Sequence, residues 1–200
     1  MYLKEMTIVE VRDMYENYLT EAFPPDELRP LSMIEEAIRE NRYVCYGYYE
    51  YGQLCTYTSF MYLESEKGRD YLGDFFASRK DMRNRGLGTK FLAEYPTTLK
   101  DPCSVIFEIE NPDFAENEEQ RELRERRRQF YLRNNIIDTG VNIQLAGVEY
   151  RIMEMLLGKP HTQDEIRDLY VRQYRAMLPP ELFERFFHLE GVENTEDTQI

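Results

Sequence analysis

The sequence predicts a mixed α/β domain of the α+β kind: a central, mostly antiparallel sheet of about seven strands, flanked by helices, with extra C-terminal helices. Three observations carry that expectation. Strand-like runs and helical stripes follow one another as β-α-α-β-β-β-α-β-α-β-β before the last helices, an order too irregular for a doubly wound parallel sheet. The 200 residues suffice for one domain with a substantial core and fall short of two ordinary ones. At 42% hydrophobic and 14% aromatic, the chain is folded and not disordered.

Met1 to Thr7 reads as a short first strand with Tyr2, Leu3 and Met6 available to a core. Ile8, Val11, Met14, Tyr15, Tyr18 and Leu19 then form a helical stripe that Pro24-Pro25 ends. Ser32 is a good N-cap for a second helix, and Glu35 three residues on completes a capping box. Arg42 to Glu50 and Gln53 to Leu63, rich in Tyr, Val, Thr and Phe, read as a hairpin turning at Tyr51-Gly52. Tyr71 to Arg79 is a further strand, and Gly86 to Glu94 opens a helix that Pro96 closes soon after. Ser104 to Glu110 is the next strand, followed by an acidic stretch and a long charged helix from about Glu116 to Arg133. Ile136-Ile137 and Val148 to Leu156 read as the last strands, separated by a loop holding Gly140 and Gly147. Thr162 and Glu165 form a second capping box for a helix to about Met177, Pro179-Pro180 breaks it, and Glu181 to Leu189 reads as a short amphipathic helix.

With 25 Lys+Arg against 38 Asp+Glu the net charge is −13. Such a chain is a poor binder of nucleic acid or anionic membranes, because phosphate contacts need an excess of bases. The last eleven residues, Glu190 to Ile200, hold four acids and no base, too few to account for the excess, which is therefore spread over the fold. No run approaches the ~18 apolar residues of a membrane span. The start MYLKEMTIVE lacks the apolar core of a secretion signal. Cys45, Cys55 and Cys103 lie far apart in strand-like stretches, without disulfide or metal-ligand spacing, and His161 and His188 are the only histidines. The expectation is a cytoplasmic protein with no metal site.

The segment that carries chemistry runs from Gly73 to Thr89. A strand enters a short loop, and Arg83-x-x-Gly86-x-Gly88 opens a helix. Two glycines let backbone N–H groups close on a ligand at the positive end of the helix dipole, an arrangement suited to phosphate. The Lys-Ser/Thr of a Walker loop is missing, and so is the dinucleotide G-x-G-x-x-G.

On these residues the chain resembles the GNAT family of N-acetyltransferases, whose acetyl-CoA loop reads Gln/Arg-x-x-Gly-x-Gly/Ala between the fourth strand and third helix. The family next expects a strand and a helix ending in Tyr; Ser104 to Glu110 and the helix ending at Tyr131 fit. The element order from Met1 to Leu157 matches as well. Two positions depart: an Asn seven residues and an Ala four residues before the Tyr are common in the family, and here they are Arg124 and Arg127. The acidic insertion Glu110 to Glu119 is also longer than usual.

The resemblance implies direct transfer of an acetyl group from the acetyl-CoA thioester to a primary amine, with a sheet splayed at the cofactor site. It places Arg83, Asn84, Arg85, Gly86, Leu87, Gly88 and Thr89 on the CoA pyrophosphate. Phe76, Ala77 and Ser78 would offer backbone groups to the pantetheine and acetyl oxygen. Tyr131 would be the general acid for the leaving thiolate, since a phenol is protonated at neutral pH. Arg124, Arg127 and Tyr131 share a helix face, which makes Arg127 a candidate for the CoA phosphates against the alternative of a solvated charged face. Asp74 and Glu108 are the best-placed carboxylates for a general base, ahead of Glu110 and Glu64.

The acidic chain suits a cationic amine, either a small molecule or a peptide. The expected organisation is an acyltransferase domain over 1–158, a helical extension packed on it over 159–189 and a disordered acidic tail over 190–200, as a monomer or homodimer. The alternative function is a non-catalytic acyl-CoA sensor or protein-interaction module on the same fold.

Overall fold

A computed structural model describes residues 1–25 and 27–189; the expected acidic tail lies outside the described residues. The chain divides into two compact units, Met1–Phe107 with Met155–Lys159, and Glu108–Glu154 with the chain from Pro160 onward.

The first unit holds β1 (Tyr2–Glu5), α1 (Ile8–Met14), a π-helical turn (Tyr15–Leu19), α2 (Thr20–Ala22), α3 (Leu31–Arg39), β2 (Tyr43–Glu50), β3 (Gln53–Ser65), β4 (Gly68–Ser78), a 3-10 turn (Lys80–Met82), α4 (Leu87–Thr98) and most of β5 (Pro102–Glu110). Its strands adjoin in the order β1-β2-β3-β4-β5. β1 to β4 pair antiparallel, whereas β4 and β5 are parallel. Phe60 is the hub of an aromatic core, with Tyr95 at 5.3 Å, Tyr71 at 5.8 Å and Phe107 at 6.0 Å between ring centroids. α4 buries Leu87, Phe91, Leu92 and Tyr95, one helical face, and this anchors the helix start that follows the glycine loop.

Three local expectations change. The stripe from Ile8 is not one regular helix: the Thr20 N–H reaches the Tyr15 carbonyl in a π turn. Tyr15 and Tyr18 of that turn are tied elsewhere, Tyr15 Oη donating to the Arg29 carbonyl (3.1 Å) and Tyr57 Oη to the Tyr18 carbonyl (3.0 Å). The Ser32 capping box does not form, because Pro30 starts the helix at Leu31 and Glu35 pairs with Arg12 and Arg39 instead. Pro96 sits inside α4, which runs two residues further; Thr97 and Thr98 Oγ1 each donate to the Glu94 carbonyl (2.9 Å), supporting that last turn. The hairpin is as expected, with Tyr51 (φ 49°) and Gly52 (φ 78°) both left-handed, as a two-residue primed turn requires.

At Gly73 the Phe107 ring of β5 occupies the space of a side chain, since a Cβ there would lie 2.5 Å from Phe107 Cδ1. Phe107 is buried in the aromatic core, so relieving that contact disturbs its packing on Phe60. Gly73→Ala is therefore expected to destabilise the protein by about 1–3 kcal/mol, read by urea unfolding.

The second unit holds the end of β5, a 3-10 turn (Pro112–Phe114), α5 (Glu118–Arg133), β6 (Ile136–Leu145), β7 (Val148–Met155, its last residue in the first unit), α6 (Gln163–Met177), α7 (Pro180–Phe186) and β8 (Phe187–Leu189). The order of its strands is β7-β6-β8. β6 is longer than expected: it passes through Gly140 (φ 75°), whose N–H is donated to Asp138 Oδ1 (2.9 Å), and turns only at Ala146-Gly147. The capping box of α6 forms as read, with the Glu165 N–H donated to Thr162 Oγ1. The helix expected over Glu181 to Leu189 stops at Phe186, and its last three residues become β8 against β6, pairing Leu145 with Phe187 and Ile143 with Leu189. An open strand edge offers backbone partners that a helix end lacks, and Phe187 gains the rings of Tyr170 (5.6 Å) and Tyr174 (5.8 Å).

The class is the expected mixed, mostly antiparallel α/β fold flanked by helices, with β8 as an eighth strand. Among the described residues, no helix is long and apolar enough to cross a membrane.

Candidate active site

Opposite β3, β4 carries one residue too many. Ser59 pairs with Phe75 and Phe60 with Gly73, so Asp74 is the extra residue of a β-bulge. On its other side, the parallel ladder to β5 ends at the Gly73–Phe107 pair. The Arg79 N–H is donated to the Cys55 carbonyl of β3 (2.9 Å). Alternation along the strand therefore turns the backbone groups of Phe76 and Ser78 away from β3. Arg83 Nε donates to the outward Ser78 carbonyl (3.3 Å), which ties the loop back to the strand end. The side chains here face the body of the unit: the Phe76 ring stacks on Phe91 of α4 (5.8 Å), and the Ser78 hydroxyl meets Thr56 Oγ1 (2.8 Å).

The loop then delivers a helix start. Asn84 (φ 63°) and Gly86 (φ 71°) are left-handed, and Gly86 is the N-cap of α4 with no side chain capping the first N–H groups. A Cβ at Gly86 meets nothing within 4 Å, so the space above the turn is open. Arg83, Asn84, Arg85 and Thr89 are exposed, while the Leu87 side chain is buried and only its backbone faces the loop. From Arg79 to Lys90 the chain has five bases and one acid, a local reversal of its overall charge. Open N–H groups at a positive helix end, ringed by cations, suit a phosphate or pyrophosphate.

Asp74, at the bulge, is held within its unit. Its carboxylate accepts from Arg29 Nε (3.3 Å) and Nη2 (3.4 Å) and from Tyr43 Oη (2.5 Å), an oxygen that also lies 2.8 Å from Ser59 Oγ and can accept that hydroxyl's proton in a hydrogen bond. Burial, with the Asp74 charge beside it, raises the Tyr43 hydroxyl well above the usual phenol range. The Asp74 and Arg29 side chains are only 9% and 13% exposed. Breaking such a pair from one side leaves a poorly solvated charge, so Asp74→Asn is expected to lose about 3 kcal/mol of stability in a urea titration.

The second unit carries Tyr131, Glu108 and Arg127. Tyr131 sits near the end of α5 and is 6% exposed. Burial pushes its hydroxyl up to about 12; Arg127 opposes the shift and the Glu108 charge adds to it. The phenol is thus a proton donor throughout the neutral range. Glu108 accepts from two hydroxyls of α6, Tyr174 Oη at 3.0 Å and Tyr170 Oη. Arg124 donates to Glu110 Oε1 (2.8 Å) and the Asn111 carbonyl (3.2 Å), fastening α5 to the strand end. Arg127 lies 3.7 Å from Glu110 Oε2 and is half exposed.

Sequence reading missed Arg29, Tyr170 and Tyr174. The i, i+4 spacing of the two tyrosines was a usable signal, but it reads equally as an apolar face. Arg29 lies in a proline-bounded loop with no periodicity to place it. Among the described residues, no cluster of three or more His, Cys, Asp or Glu is arranged to hold a metal ion.

No known protein-family profile and no curated protein matches the chain. Solved structures do. A GNAT-family acetyltransferase from Bacteroides thetaiotaomicron aligns at TM-score 0.67 and 19% identity, over 87% of this chain and 96% of that one. An aminoglycoside 6'-N-acetyltransferase complexed with coenzyme A aligns at 0.59 and 11%, over 80% and 100%. The NatB acetyltransferase complex bound to CoA gives 0.54 and 16%, over 79% and 100%. The chain has the GNAT acetyltransferase fold.

Proposed function

We propose, from that fold, that the protein is an acetyl-CoA-dependent N-acetyltransferase that moves an acetyl group directly to a primary amine. The observation that carries the reading is the end of β4: a bulged strand leaving its parallel partner at Gly73, followed by the left-handed Gly86 and the uncapped, cation-ringed start of α4. These residues fit acetyl-CoA. The N–H groups of Leu87, Gly88 and Thr89, with Arg83 and Arg85, would hold its pyrophosphate, and the outward backbone of Phe76 and Ser78 would pair with its amide-bearing arm, with Ala77 between them. Acetyl-CoA supplies the activated thioester; the chain supplies orientation and proton handling.

Tyr131 serves as general acid to the departing sulfur, a role its buried, protonated phenol supports. Glu108 is favoured over Asp74 as the proton acceptor, because Asp74 is ion-paired with the Arg29 guanidinium, whereas Glu108 accepts from the uncharged Tyr170 and Tyr174 hydroxyls. Arg127, half exposed and loosely paired, remains the α5 arginine suited to a phosphate, whereas Arg124 is fastened at Glu110. The acceptor is a cationic amine drawn by the acidic chain. The likeness to an aminoglycoside N-acetyltransferase favours a small molecule carrying several amines.

Calorimetry with acetyl-CoA, beside release of free CoA thiol with spermidine, kanamycin and a lysine-containing peptide, tests the reading. Binding with turnover supports the enzyme, binding without turnover makes the protein an acyl-CoA sensor, and no binding overturns both.

A further inference from the structure

Glu108 is gripped from a helix that lies outside the motifs of the cofactor site. Tyr174 Oη is 3.0 Å from both carboxylate oxygens, and Tyr170 Oη donates to Oε2. The two residues are four apart on α6, so both hydroxyls leave the same helix face. Their rings lie 4.8 Å apart, and Phe187 of β8 closes on both. Tyr170 is buried and its hydroxyl is raised well above the usual phenol range, first by burial and then by the Glu108 charge, so it stays a donor. Among the described residues of this unit, Tyr131 also feels the Glu108 charge, which raises its hydroxyl, while Arg127 opposes that shift. An ionised carboxylate accepts from both tyrosines at once, whereas a protonated one gives up an acceptor position to its own proton.

We propose that Tyr170 and Tyr174 are positioning residues that hold the Glu108 carboxylate in place as the proton acceptor of acetyl transfer, making α6 part of the reaction machinery. The proposal rests on the acetyltransferase reading. In the step, an N–H bond of the acceptor ammonium breaks and its proton passes to Glu108. The nitrogen pair then forms the C–N bond to the acetyl carbon, and the C–S bond breaks onto sulfur, which takes a proton from Tyr131. The second proton shed by nitrogen replaces the one Tyr131 gave, and Glu108 releases its own to solvent.

The test is a carboxyl titration by NMR of full-length protein labelled with 13C-glutamate, with the Glu108 signal identified by its loss in Glu108→Gln. Tyr170→Phe/Tyr174→Phe keeps both rings and removes both donors. It is expected to raise the Glu108 titration by about one unit or more, and to move the acidic limb of kcat the same way with the best of the three amines above. Tyr174→Phe alone, with a smaller shift in the same direction, serves if the double variant melts early. A merely structural role would lower the melting temperature and leave both pH readings where they were, which overturns the proposal. A carboxyl that moves without the rate following, or acetyl-CoA binding with no turnover of any of the three amines, overturns the proton-acceptor role. Native protein that fails to bind acetyl-CoA overturns the underlying reading instead.

Discussion

Gly86→Asp is expected to weaken acetyl-CoA binding about 100-fold or more, equivalent to about 2.7 kcal/mol, in a calorimetric titration. Two effects add. Gly86 has φ 71°, so any side chain there carries left-handed strain of about 1–2 kcal/mol. The new carboxylate also stands at the helix end proposed to face a pyrophosphate, where like charges oppose each other by several kcal/mol. Because a Cβ at Gly86 touches nothing within 4 Å, the fold itself tolerates the change. The melting temperature should fall by only about 2–8 °C for a chain of this size. Gly86→Ala separates the contributions: it carries the strain without the charge, and should lose similar stability but far less affinity. Equal affinity in native protein and Gly86→Asp would falsify the cofactor loop.

Tyr131→Phe is expected to lower kcat about 100-fold or more while the acetyl-CoA dissociation constant stays within about threefold, because proton donation to the leaving sulfur matters only in the transition state. The pH dependence has a definite sign. A general acid works while protonated, and burial pushes the Tyr131 hydroxyl up to about 12, so activity that depends on it is lost only as pH rises through that region. Native protein should therefore show no alkaline limb from this group between about pH 7 and 10. A limb near the ordinary phenol value of about 10 that disappears in Tyr131→Phe would mean that the hydroxyl is not buried in the protein in solution.

Much of this was legible in the sequence because its signals are local. Tyr51-Gly52 announces a hairpin, Thr162 with Glu165 announces a helix start, and Gly86-Leu87-Gly88 announces a glycine turn into a helix. What escaped was decided by partners distant along the chain. Glu35 has the spacing of a capping box, yet Arg12, twenty-three residues away, claims its carboxylate. Phe187 belongs to an amphipathic helical pattern, yet the edge of β6 and the rings of Tyr170 and Tyr174 draw it into a strand. Gly140 reads as a loop residue until Asp138 is seen receiving its N–H within β6. The candidate residues show the same division. The glycine loop is a contiguous motif, whereas the tyrosines that hold Glu108 lie more than sixty residues downstream of it.

The bulge at Asp74 also has a consequence for how this chain can change. It divides β4 into a part whose register follows β5 and a part that follows β3 alone. Losing one codon at this point would let Phe75 follow Gly73 directly, keep the two residues opposite Ser59 and Phe60, and bring the strand back into even step with its neighbour. A triplet deletion at position 74 is thus the smallest heritable edit that converts a bulged strand end into ordinary sheet, while amino-acid replacements at the same position leave the strand's length, and with it the extra residue, intact.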